Sequence, residues 1–211
     1  MVRIARKGLL VAASVLALPA ANAVAAESQP ALMPMPRAVE VASGRLPVSG
    51  LPDFSVEGCA DAPTRPALAR FARDWRAITG SELSGHAIRT TISCAQRDPR
   101  LLTLDAREGY RLDISGDGVA IAADGETGVL RALATLRQLV TRDASGPSLP
   151  LVRIEDSPRF AWRGLMIDVA RHFMTVETLK RQIDAMELAK LNVLHLHLSD
   201  NEAFRVESRR Y

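Results

Sequence analysis

The pattern of apolar and polar positions changes character several times along the 211 residues. An uncharged apolar run from Gly8 to about Leu18 comes first. Residues 31–50, "ALMPMPRAVEVASGRLPVSG", then mix Pro, Gly and short apolar runs, which predicts loops and short edge strands. Leu68, Phe71, Trp75 and Ile78 recur at i, i+3, i+7 and i+10, so residues 66–79 are expected to form a helix stopped by Gly80. "AIRTTIS" (87–93) reads as a strand. Tyr110, Leu112 and Ile114 alternate with polar neighbours, as do Val119 and Ile121, and "SGDG" lies between the two runs: a β-hairpin. Residues 127–140 place Val129, Leu133, Leu136 and Val140 on one helix face. Strands and helices are therefore mixed, with a hairpin rather than parallel crossovers. This predicts a compact α+β domain over residues 27–150 that ends in a linker-like stretch, "RDASGPSLP".

A different grammar begins at Phe160. "FAWRGLMIDVA" reads as a mostly apolar strand, and "VLHLHLS" as a second. Between them, Val176, Leu179, Ile183 and Met186 form the inner face of a helix. Thr175 is its natural N-cap and Glu177 suits its first turn. Strand, helix and strand with a connection of this length make one parallel βαβ unit, which opens a second domain over residues 151–211.

Charge alters this picture only at the N-terminus. Residues 1–26 join a basic start (Arg3, Arg6, Lys7) to the apolar run and to small residues at Ala21-Asn22-Ala23 and Ala23-Val24-Ala25-Ala26. This is the layout of a secretory signal peptide, and it predicts an exported protein, periplasmic or extracellular; the alternative, an uncleaved anchor helix, is disfavoured by the shortness of the run. Setting those residues aside, 27 basic residues less three leaves 24 against 24 acidic ones. An interspersed, neutral balance offers no electrostatic case for nucleic acid. No other run is long enough to span a membrane. Export permits a disulfide between Cys59 and Cys94, and separate burial as small hydrophobes is the alternative.

The joined stretches "PRFAWRGLMIDVARHF" and "KLNVLHLHLSD", with "EGYRLDISGDGVAIAADGETGVLRALATLRQLV" upstream, resemble glycoside hydrolase family 20, the β-N-acetylhexosaminidases. The resemblance covers roughly residues 30–211. It implies a small α+β domain followed by a (β/α)8 TIM barrel. Such a barrel takes about 250 residues, and Phe160 to Tyr211 is about a fifth of that. The expected content is thus the opening βαβ unit of an incomplete barrel. The resemblance also implies retaining hydrolysis of terminal N-acetylglucosamine or N-acetylgalactosamine, with the substrate's 2-acetamido oxygen as nucleophile, an exception to the two-carboxylate scheme. An Asp orients the acetamido group and an adjacent Glu is general acid, then base. No Asp-Glu dipeptide occurs in the chain; Glu155-Asp156 has the reverse order. The catalytic pair and the aromatic walls are accordingly expected downstream, and the 211 residues by themselves are expected to be inactive.

Two positions match the family's site. Arg171 corresponds to an arginine that hydrogen-bonds sugar hydroxyls beside the scissile bond, a role suited to a rigid fork of donors. Asp200 corresponds to an acid at the end of the second strand that supports the catalytic groups through a histidine supplied downstream. The resemblance implies no metal and no organic cofactor. It implies N-acetylhexosamine-containing oligosaccharides as partners and leaves the oligomeric state open. The family commonly reads "SDDQGWR" or "TDDQGWR" where this chain reads "SDNEAFR", keeping Asp200 and Arg205 but changing the four residues between them.

His195 and His197 share one face of their strand. A buried, hydrogen-bonded structural role is the favoured reading; an H-x-H metal pair of a metal-dependent barrel hydrolase is the alternative. Glu202 reads as a solvated loop residue. A non-catalytic carbohydrate-binding or interaction protein is the remaining alternative.

Overall fold

The structure, a computed structural model, describes residues 29–60, 63–79, 85–99 and 103–210. The expected signal peptide and the Gly80 stop lie outside the described residues. In chain order the first part contains β1 (Ala38–Pro47), β2 (Pro52–Glu57), α1 (Thr64–Thr79), β3 (Ile88–Cys94), β4 (Tyr110–Ser115) and β5 (Gly118–Ala123). It continues with α2 (Glu126–Leu139), β6 (Thr141–Asp143) and β7 (Gly146–Asp156). The second part contains β8 (Gly164–Asp168), α3 (Val176–Leu188), β9 (Val193–His197), β10 (Ser199–Asp200) and β11 (Ala203–Phe204).

The first part is one mixed seven-stranded sheet in the order β1-β7-β4-β5-β3-β2, with β6 paired to β7. The expected hairpin is β4–β5, with Ser115 opposite Gly118. The expectation of no parallel crossovers is overturned: β2 pairs parallel with β3, and β3 with β5. Helix α1 is the crossover between β2 and β3, which is how a parallel pair must be connected. The linker-like reading of residues 142–150 is also overturned. Asp143 pairs with Gly146 in a tight turn, where the Asp143 carboxylate accepts the Ser145 N–H at 2.7 Å. The Ala-Ser-Gly-Pro composition marks that turn. The strand after it, β7, lies between β1 and β4 and buries Leu149, Val152 and Ile154.

The core sits between this sheet and the helices. Helix α1 contributes Ala67, Phe71 and Trp75, with the Phe71 and Trp75 rings stacked at 5.2 Å. Its buried face is rotated from the expected one: Thr64 and Thr79 are buried, while Leu68 and Ile78 are half-buried. Helix α2 is buried on nearly every side, because it packs on β3, β4 and β5 while α1 and α3 cover its other faces. Cys59 and Cys94 form a disulfide, Cα–Cα 5.7 Å, that ties the end of β2 to its parallel neighbour β3. Gly58 beside it is at φ +92°, and a Cβ there would lie 2.2 Å from the Cys94 carbonyl oxygen, so only glycine fits this close approach.

In the second part, β8 and β9 are parallel, from Gly164 opposite Val193 to Asp168 opposite His197. Helix α3 is capped as expected, the Thr175 hydroxyl accepting the Thr178 N–H at 3.2 Å. Of its expected inner face, Met186 is buried and Leu179 half-buried, but Val176 and Ile183 are exposed. Two strands are too narrow a sheet to cover the length of the helix. The helix ends in a Schellman motif: Lys190 N–H reaches Glu187 O at 3.1 Å and Leu191 N–H reaches Met186 O at 2.9 Å. The left-handed position, usually glycine, is Lys190 at φ 59°.

Candidate functional site

The candidate site forms where β8 and β9 end side by side. The last residue of β8, Asp168, turns the chain back on itself. Its Oδ1 accepts the N–H groups of Ala170 and Arg171, both at 3.0 Å. The Val169 and Ala170 N–H groups also point at the carbonyl of His197 on β9, each at 3.2 Å. The turn therefore delivers the Arg171 side chain over the carboxyl ends of both strands.

The Arg171 guanidinium lies among three acids. Nη1 donates to Asp168 Oδ2 at 2.7 Å, Nη2 is 2.5 Å from Asp200 Oδ2, and Nε is 4.0 Å from Glu202. The side chain is 57% exposed, so the fork keeps donors that face solvent. Asp200 holds its place through the Asn201 N–H, 2.7 Å from Oδ1. It is also 2.9 Å from His197 Nε2. Strands β10 and β11 form a small hairpin around this acid, with Asp200 opposite Ala203. Arg205, just past the hairpin, donates to the carbonyls of Val169 at 2.9 Å and Ala170 at 3.2 Å and lies over the Phe173 ring at 5.3 Å. It thereby fastens the β9 loop to the β8 loop.

Electrostatics follow from these contacts. The Arg171 backbone N–H, then its guanidinium, hold the Asp168 carboxyl below the usual carboxylate range. The Asn201 N–H, then His197 and Arg171, do the same for Asp200. Hydrogen bonding to Asp168, with the nearby Asp200 charge, raises Arg171 above its ordinary value. The result is a fixed cation between fixed anions at neutral pH, able to present hydrogen-bond donors and acceptors together to a polyhydroxylated ligand.

Arg171 and Asp200 thus meet, as their positions at two strand ends allow. Within this chain His197 reaches Asp200, its Nε2 2.9 Å from Oδ2. Of the two histidines, expected to be buried and hydrogen-bonded, His195 is exposed, whereas His197 is half-buried and hydrogen-bonded to Asp200. Among the described residues no group of three or more His, Cys, Asp or Glu could hold a metal ion. Glu202 is exposed, as read from the sequence. Sequence reasoning missed Asp168 and Arg205 as members of this centre. The signal for Asp168 was present in its spacing, an acid at a strand end three residues before the arginine.

A second polar cluster lies at the opposite end of the β8–α3–β9 unit, against the seven-stranded sheet. Glu108 accepts from Arg131 at 2.5 Å and from Arg163, all three largely buried. Lys190 Nζ is 2.8 Å from both the Tyr110 hydroxyl and Asp156 Oδ2, and the Tyr110 hydroxyl is 2.6 Å from Thr135 Oγ1. Glu108, Arg131, Arg163, Tyr110, Asp156 and Lys190 border a cavity of about 970 Å³. Each network has members from both parts of the chain, so it joins them.

Comparison with known proteins accords with the architecture. Residues 29–157 match the model of glycosyl hydrolase family 20, domain 2, and residues 160–211 match that of the family 20 catalytic domain. A beta-N-acetylhexosaminidase of Cellulomonas fimi is 52% identical over 100 residues, 47% of this chain and 20% of that protein. The beta-hexosaminidase subunit beta of Mus musculus is 31% identical over 219 residues, 95% of this chain and 41% of that protein. Among solved structures, a Flavobacterium johnsoniae chitobiase superposes with TM-score 0.77 at 32% identity, covering 85% of this chain and 28% of the other. An exo beta-N-acetylglucosaminidase from Vibrio harveyi, in complex with N-acetylglucosamine, gives TM-score 0.66 at 31% identity, covering 84% and 27%. The chain thus spans between a fifth and two-fifths of the length of these relatives. On the family models, which together take in nearly every described residue, the chain belongs to glycosyl hydrolase family 20, a family of glycosidases.

Proposed function

We propose that these 211 residues are the N-terminal portion of an exported, retaining β-N-acetylhexosaminidase, and that β8–α3–β9 is the opening unit of its (β/α)8 barrel. The observation that carries this reading is the Arg171 guanidinium held at the carboxyl ends of two parallel strands, where barrel enzymes build their active sites. In this reading Arg171 donates to sugar hydroxyls of the terminal N-acetylhexosamine. Asp200 keeps the arginine oriented and supports the catalytic groups through a histidine supplied further along the chain. The substrate's own acetamido oxygen attacks the anomeric carbon, so the chemistry requires an acetamido-orienting Asp and an acid/base Glu. No such adjacent pair occurs in the 211 residues, so the chain's share of the work is binding and orientation. The proposed partners are oligosaccharides ending in N-acetylglucosamine or N-acetylgalactosamine, in keeping with the names of the relatives.

The experiment is hydrolysis of a chromogenic N-acetylglucosaminide by the full-length protein that bears these residues. Arg171→Ala is expected to remove most of kcat/KM, by about ten- to a hundredfold for a charged hydrogen bond to substrate. Normal turnover by a folded Arg171→Ala protein rejects the role. The 211-residue chain alone is expected to show no hydrolysis, and turnover by it contradicts the assignment of the acid/base pair elsewhere. A non-catalytic carbohydrate-binding or interaction protein is the second reading. Calorimetric titration with N-acetylglucosamine beside the activity assay separates the two: binding without hydrolysis by the full-length protein favours the second.

A further inference from the structure

We infer that Asp168 is a positioning residue for sugar recognition, locking the Arg171 guanidinium in the orientation that meets the sugar hydroxyls; this rests on the reading of Arg171 given above. The two oxygens of its carboxylate do different work. Oδ1 accepts the Ala170 and Arg171 N–H groups at 3.0 Å and sets the backbone turn. Oδ2 accepts from Arg171 Nη1 at 2.7 Å and sets the side chain. One residue therefore fixes both ends of the arginine, from its Cα to its guanidinium. Asp200 holds Nη2 at 2.5 Å from the other strand, so the planar fork is pinned at two corners. A long, half-exposed arginine otherwise loses about 2 kcal/mol of rotamer entropy on being held, and a guanidinium already ordered before the sugar arrives loses little more on binding.

A turn-capping role alone makes a different prediction, because it needs only Oδ1. Asn keeps that oxygen and so keeps the turn, but its amide nitrogen then faces Nη1, donor against donor. Asp168→Asn separates the two roles. The full-length protein bearing these residues is titrated calorimetrically with N-acetylglucosamine and with analogues lacking one ring hydroxyl at a time. The parent, Asp168→Asn and Arg171→Ala are compared, each with a thermal melt. The parent is expected to discriminate against the analogue that lacks the hydroxyl bound by Arg171, and Arg171→Ala to lose that discrimination. Asp168→Asn is expected to melt like the parent yet to bind N-acetylglucosamine about tenfold more weakly and to lose most of the same discrimination. Should Asp168→Asn fail to fold, Asp168→Ser carries the same test, since its hydroxyl mimics the turn-capping oxygen without offering a carboxylate to the guanidinium. If Arg171→Ala abolishes discrimination and the folded Asp168 variant keeps it, Asp168 is only a turn cap and the inference is overturned while the role of Arg171 stands. If Arg171→Ala itself keeps the discrimination, or the parent binds none of the sugars, the reading of Arg171 fails and the inference goes with it.

Discussion

The residues around Arg171 show how a few short contacts set protonation as well as position. Asp168 and Asp200 each accept a backbone N–H and a side-chain donor, and both contacts favour the ionised form. Their carboxyls therefore titrate below the ordinary aspartate range, about 3.9. A lowered folded-state value contributes stability that is present above the unfolded value and is lost as pH falls through the folded one. The arginine pocket is expected to stay intact at pH 5 and to come apart only in stronger acid. Carbon-detected NMR titration of the two side-chain carboxyls measures this directly; midpoints at or above 4 for both contradict the geometry. At the same scale, Arg205 stands where the family pattern keeps an arginine, and its contacts to Val169 and Ala170 give that position a physical reason. The altered residues between Asp200 and Arg205 include Phe204, which is exposed beside the site.

At the scale of elements, the disulfide is the chief device of the first part that alternation alone does not explain. It joins residues 35 apart in sequence, across the β2–β3 pair and around the whole of α1. Closing a loop of that length removes conformational freedom from the unfolded chain, for about 2–4 kcal/mol of stability. Denaturant unfolding of the purified chain with and without reductant is expected to differ by that amount. Equal midpoints show the bridge to be absent or inert. Periodicity located α1, α2, α3 and the β4–β5 hairpin, because each repeats a single spacing over several turns or residues. It missed the continuity of β7 because Gly146 and Pro147, the residues that punctuate a turn, open the strand itself. Alternation also says nothing about which strand lies alongside which, so the parallel β2–β3–β5 arrangement was illegible.

The molecule as a whole is joined by buried charge. Lys190 takes the left-handed position that ends α3 and sends its ammonium into the first part of the chain, against Asp156, the Tyr110 hydroxyl and the Tyr110 ring at 4.9 Å. Burial pushes its pKa down, while Asp156 opposes that shift. Burial pushes the Tyr110 hydroxyl up. Burial likewise pushes Glu108 up, but the hydrogen bonds and charges of Arg163 and Arg131 outweigh it and hold the carboxyl below its usual value. Removing one member of such a pair leaves its partner buried without compensation, at about 3–5 kcal/mol. Lys190→Met is expected to destabilise the chain by about 3 kcal/mol, the lower end because Tyr110 still donates to Asp156 at 3.1 Å. Chemical denaturation measures it, and a loss under about 1 kcal/mol shows that the junction does not depend on this ion pair.

The amino-acid order by itself determined the local elements, the change of grammar at Phe160 and the family resemblance, since each rests on residues close together in the chain. Arg171 and Asp200 were marked through that resemblance, as the two positions that match the family's site. Only the tertiary structure decided the rest. Asp168 and Arg205 become parts of a site when β8 and β9 align in parallel and bring residues 168–171 against 197–205. Lys190 reads as an ordinary polar residue after a helix until the fold buries it beside Asp156, 34 positions away. Sequence spacing specifies the period of a strand or helix; pairing and burial depend on contacts between segments distant in the chain, and no local pattern records those.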